Sequence, residues 1–282
     1  MKKYIVFLYS LCALFTKSYA QKIYISISGG YGLSTSPNSN YASTNSTRNS
    51  NGNTALFTNS ISNSTGSFGR GVQFGATLGY EHNRNFSVEL NTSYLISDKI
   101  TSTLSGDGGT IYSEDKSSAT MLRLIPAIKV SIGEKKLKPY LRFGLVIGLV
   151  PKINFTETYT NTSANPNYSE SVYVYSGGIS IGYSAGLGVN YKVTNRLSLF
   201  GEIGLISQAW APKKSVLTKA TQNGIDMLPS KSLSQKEIDY VSSYTDNSSV
   251  NPSLPSKSLK TYMPFSSIGI NVGLQIAIGK QK

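Results

Sequence analysis

Apolar and polar positions alternate one by one along stretch after stretch of this chain. The most regular is SSIGINVGLQIAIGK, Ser266 to Lys280, where Ile268, Ile270, Val272, Leu274, Ile276 and Ile278 fill every even position. Gly269, Asn271, Gly273, Gln275, Ala277 and Gly279 stand between them, so one face is greasy and the other bare or wet. Period two is the repeat of a β-strand. In a soluble sandwich such alternation usually lasts about four to eight residues. A strand crossing a bilayer obliquely needs roughly 9–11 residues and turns its apolar face to lipid, which is the better match here.

The same pattern recurs in seven earlier segments: KIYISISGGYGLS, FGRGVQFGATLGYEH, FSVELNTSYLIS, TMLRLIPAIKVSI, PYLRFGLVIGLV, GISIGYSAGLGVNYK and LSLFGEIGLIS. Their connections alternate in length. Asn83-Arg84-Asn85, GEKKLK and Thr194-Asn195-Arg196 are short; the stretches from about Thr35 to Gly66, Lys99 to Ser117, Lys152 to Ser176 and Pro212 to Lys260 are long. Short turns at one end and long loops at the other predict an all-β fold. It is an eight-stranded antiparallel up-and-down transmembrane β-barrel with short periplasmic turns and long extracellular loops. Eight strands is also a number whose interior side chains just fill.

Some local features refine this. Pro126 falls inside the fourth segment, where a closed barrel has no edge to take a missing N–H, and predicts a bulge. Tyr80, Phe86 and Tyr191 lie outward beside the short turns and Tyr31 and Tyr94 outward near the long loops, as two aromatic girdles would. The first long loop is rich in Ser, Asn and Thr and is predicted to fix no structure of its own. In the last, Ser234-Gln235-Lys236-Glu237 ahead of Ile238 and Val241 predicts a short helix. That loop also has the length to fold back as a hairpin, which would make ten strands.

These segments resemble the small outer-membrane β-barrels of the OmpA/OmpX type and the porin-family outer-membrane β-barrel domain. The resemblance covers Gln21 to Lys282 and rests on topology and pattern. It implies an integral outer-membrane protein of a Gram-negative cell, a monomer in contact with outer-membrane lipids.

The N-terminus agrees. Lys2 and Lys3, an apolar Tyr4 to Phe15 and the small-x-small Ser18-Tyr19-Ala20 read as a signal peptide over residues 1–20, with the barrel domain over 21–282. Cys12, the one cysteine, leaves with it, so no cysteine metal site or disulfide is expected. Loss of Lys2, Lys3 and Lys17 lowers the formal charge from +13 to +10. The remaining cations are scattered through turns and loops without the basic and aromatic interleaving that tracks a phosphate backbone, so no nucleic acid partner is expected.

Candidate chemistry lies inside. Glu89, Lys129, Arg142 and Glu202 fall on inward positions at similar depth, three to five residues above the short turns. They predict a lumenal charge cluster, which Glu81, Arg123 and Lys192 are placed to extend. Mutual neutralisation would plug the barrel; partner exchange would gate a narrow pore. No catalytic, cofactor or metal site is expected. His82, the one histidine, abuts the Asn83-Arg84-Asn85 turn, and no phosphate loop or nucleophile elbow is present. The expected function is non-enzymatic, with loops contacting host or matrix macromolecules or the barrel supporting the membrane; a small porin or channel is the alternative.

Overall fold

A computed structural model describes residues 22–35, 42–51, 54–63, 66–106, 111–133, 136–162, 166–245 and 251–278. The predicted signal peptide lies outside the described residues. In chain order the elements are β1 (Lys22–Ser34), β2 (Ala42–Asn51), β3 (Thr54–Asn63), β4 (Gly71–Glu81), β5 (Phe86–Ser97), β6 (Ile100–Gly106), β7 (Ile111–Ser131), β8 (Leu137–Asn161) and β9 (Asn167–Ser176). There follow β10 (Ser180–Lys192), β11 (Leu197–Trp210), β12 (Lys214–Gln222), β13 (Ile225–Asp226), α1 (Leu233–Lys236), β14 (Glu237–Val241), β15 (Ser256–Leu259), β16 (Met263–Pro264) and β17 (Ser267–Ile278).

Eight of these close a ring. β1 pairs with β4, β4 with β5, β5 with β7, β7 with β8, β8 with β10, β10 with β11, and β11 with β17, each antiparallel. β17 then returns to β1 in register from Ile23↔Ile278 to Ser34↔Ser267. Closure leaves this ring no unpaired edge, and the alternation sorts its faces. Ile23, Ile25 and Ile27 are exposed on the outside while Tyr24 and Ser26 are buried inside.

The short turns are built alike. The Asn83 side chain accepts from the backbone N–H of Asn85 at 2.9 Å and of Phe86 at 2.8 Å. The Thr194 hydroxyl accepts from Arg196 at 3.2 Å and Leu197 at 2.9 Å. Side-chain oxygens thus take the donors that the reversing chain leaves over.

Beyond the ring, on the loop side, the chain departs from expectation. The first long loop, predicted to fix no structure, contains the hairpin β2–β3, paired from Ala42↔Asn63 to Asn51↔Thr54. A ladder satisfied through its backbone needs no apolar core of its own, which composition alone did not capture. β7 and β8 run on for 21 and 25 residues. β6 lies on β7, β9 on β8, β12 on β9 and β14 on β12, with β15 parallel to β14. The last long loop therefore adds to a sheet outside the bilayer, and the spanning strands number eight.

Two further expectations are corrected. α1 is a four-residue turn starting at Leu233, where the Ser232 N–H donates to Gln235 Oε1 at 3.0 Å; Glu237 already begins β14. The helix start is set by Ser232 and Gln235 rather than by Ser234 and Glu237. Pro126 makes no bulge. It pairs with Leu90 in β5, and the β7–β8 register is the same below it, at Ala127↔Gly144, as above it, at Leu124↔Ile147. The bulge lies higher, where Thr120↔Lys152 gives way to Leu122↔Leu149. Val150 there takes φ 46° and Pro151 is buried. Two residues of β8 are spent against one of β7, so the inward face passes from Tyr140, Val146 and Gly148 below to Pro151 and Ile153 above.

Candidate functional site

The lumen is filled in two layers. Near the turn end, the predicted cluster comes together. Lys129 and Arg142 are direct partners on β7 and β8 and share the inward face. Glu89 reaches both, Oε1 to Lys129 Nζ at 3.3 Å and Oε2 to Arg142 Nη1 at 3.8 Å. Arg142 Nη2 closes on Glu202 from β11. All four lie well inside, with Glu89, Lys129 and Glu202 buried.

Two tyrosines that charge patterning does not mark complete this layer. The Tyr24 hydroxyl donates to Glu89 at 2.5 Å. Lys129 Nζ stands 5.2 Å from the centre of the Tyr24 ring and 4.5 Å from that of Tyr140, a cation held between two aromatic faces. Room for the rings comes from the glycines opposite. Gly79 pairs with Tyr24 and Gly188 with Tyr140, and a β-carbon at either glycine would fall on its partner's ring. The signal was a lone inward tyrosine on each strand facing a glycine, readable only once the register is known.

The residues expected to extend the cluster do not. Glu81 and Lys192 stand at the turn-end mouth, around a recess of about 100 Å³ with Lys136, Lys138 and Arg196. Arg123 lies six positions above Lys129 on the same strand and is fully buried. An inward position fixes the face of a residue and not its depth, and six residues of strand carry Arg123 out of reach of the cluster.

Arg123 belongs instead under the second layer, an apolar plug at the loop end. Phe68, Leu95, Ala119, Met121, Ile153, Trp210 and Phe265 form it, all buried. Phe68 and Phe265 come from segments that are not part of the ring, and their rings are 5.4 Å apart. Trp210 meets Phe265 edge-on at 6.0 Å, and its indole N–H donates to Gly177 O at 3.0 Å. Phe68 N donates to Pro264 O at 3.0 Å, and the Ser67 hydroxyl lies 2.8 Å from Ser266 O, so the two segments are tied to each other. Arg123 anchors them from below, donating from Nη2 to Phe265 O and from Nε to Gln208 Oε1, both at 3.0 Å.

Above the plug, the extended sheet carries its own charges. Asp115 on β7 faces Glu157 on β8 as a direct pair. Burial, and then the Glu157 carboxylate, push the Asp115 carboxyl above its ordinary value. His82, at the opposite end, sits edge-on to Phe86. Among the described residues no three His, Cys, Asp or Glu side chains gather as a metal site would require, and no helix is long and apolar enough to cross a membrane.

Known proteins give the architecture a family. No curated protein matches the chain. Among solved structures it is similar to CarO2 of Acinetobacter baumannii, with TM-score 0.36, 12% identity and coverage of 91% of this chain and 99% of that one. Neisserial surface protein A (NspA) gives TM-score 0.32 and 11% identity over 92% and 97%. The family model for the outer membrane protein beta-barrel domain matches residues 6–213, the greater part of the chain, and the protein belongs to that outer-membrane family.

Proposed function

We propose that this protein is a closed-lumen scaffold of the outer membrane that presents an extracellular β-sheet to macromolecules outside the cell, such as host or matrix components. The observation that carries this is where the chain invests its ordered residues. β8 runs for 25 residues, more than twice the roughly 9–11 that a spanning strand needs. β9, β12 and β14 are added to its outer part, while the lumen below is filled by a charge layer and an apolar plug. The role proposed is a non-enzymatic one, that of a surface for contact.

The test replaces residues 213–260 with a short Gly/Ser linker and compares adhesion of cells displaying each form to a panel of matrix proteins and host cells. Loss of adhesion with the barrel still folded, shown by heat-modifiable migration, is the expected result. Adhesion that survives the replacement, or is absent from the parent, overturns the proposal.

A small pore is the second reading, supported by Arg142 lying between two carboxylates, Glu89 and Glu202. Exchange of partners there would open a water path. Planar-bilayer recording of residues 21–282 separates the two: discrete steps altered by Glu89→Ala or Arg142→Ala support the pore, and silence from folded barrels supports the scaffold.

A further inference from the structure

Between the charge layer and the plug lies a chamber of about 50 Å³, lined by neutral polar groups that include Ser26, Ser28, Gln73, Asn91, Ser93 and Asn271. That is room for a few water-sized occupants. Arg123 stands just beyond the chamber, the next inward residue above Ile125 of its wall, and pairs directly across β5 and β7 with Ser93, which lines it.

Arg123 is fully buried, yet its two hydrogen-bond acceptors, Gln208 Oε1 and Phe265 O, are both neutral. Its Nη1 has no partner, and neither has the buried Ser93 hydroxyl opposite. The carboxylates that line the chamber, Glu89 and Glu202, are engaged by Lys129 and Arg142. Among these groups three cations meet two carboxylates, and the surplus positive charge is the one at Arg123. A buried charge without a counter-charge is costly, as is a buried donor without an acceptor. A small anion answers both, where water would answer only the second.

We propose that the chamber holds one small inorganic anion of halide size, bound by Arg123 Nη1 and the Ser93 hydroxyl. The site is a structural anion site inside the barrel, and its occupancy is independent of whether the extracellular sheet binds a partner. The ion enters as the barrel closes or when the plug opens, because the layers above and below are packed.

The test refolds the protein in detergent at fixed ionic strength in sodium chloride, sodium bromide or sodium gluconate, whose anion is too large for the chamber. The expected result is a saturable rise in Tm with chloride or bromide over gluconate. Arg123→Gln loses that rise, and Ser93→Ala raises the halide concentration for half-maximal effect about tenfold, as loss of a hydrogen bond worth about 1.4 kcal/mol would. Should Arg123→Gln fail to fold, crystals of the parent grown in bromide give the decision, with an anomalous bromine peak expected beside Nη1. Equal Tm in halide and gluconate, a halide effect unchanged in the variants that fold, or bromide-grown crystals with no anomalous peak in the chamber would overturn the proposal.

Discussion

Lys129 and Arg142 are direct cross-strand partners on one inward face, two cations set against each other inside the barrel. Like charges so placed repel, and Glu89 relieves the repulsion by offering one carboxylate oxygen to each. Glu89→Gln keeps the shape and removes the charge. It is expected to cost about 3–5 kcal/mol, the range for breaking a buried ion pair. Urea unfolding in detergent or lipid measures it, and a cost below about 1 kcal/mol would show that the pair is compensated elsewhere.

Gly79 and Tyr24 make a sharper case of shape. The ring occupies the space a side chain at 79 would need. Gly79→Val should destabilise the barrel by at least the roughly 1–3 kcal/mol typical of overpacking. Tyr24→Ala in the same chain should recover part of that loss, giving a coupling energy of opposite sign to the single effects. Additive losses in the double-mutant cycle would mean the two positions do not meet.

Trp210 fills the plug and is held at both its ring and its N–H. Trp210→Ala is expected to cost about 3–5 kcal/mol. It should also expose the backbone amides of Met263, Phe265 and Ser266 to hydrogen exchange, since Phe265 loses the ring it leans on. Unchanged exchange there would separate the plug from its loop segments.

The Asp115 and Glu157 pair sets a pH dependence on the extracellular sheet. The Asp115 carboxyl is raised in the folded state by burial first and Glu157 second. The folded sheet then holds more protons than the unfolded one between the ordinary and the raised value. Stability therefore falls as pH rises through that window and is greater on the acid side. Asp115→Asn should flatten this dependence, read as hydrogen exchange of residues 111–120 between acid and neutral pH. An unchanged slope would assign the dependence to other groups.

The spanning ring was legible because its strands keep apolar residues outward at every second position, whatever stands inward, and because a turn residue, Asn83 or Thr194, opens two of the short connections. The four charges at 89, 129, 142 and 202 could be grouped from their distance to those turns. What stayed hidden depends on register or on contacts distant in sequence. Tyr24 becomes informative only when Gly79 is known to face it. Phe68 and Phe265 are nearly 200 positions apart and lie in segments that show no pattern. The hairpin in the first long loop stayed hidden because a Ser-, Thr- and Asn-rich stretch such as Ala42–Asn51 lacks the apolar face by which a strand announces itself.

The bulge at Val150 and Pro151 has the effect of a seam. Below it the chain must satisfy the bilayer; above it the same strand is read in the opposite phase, under different rules. The phase of the outer part of β8 is thereby set independently of the phase that turns Leu141, Phe143 and Leu145 outward.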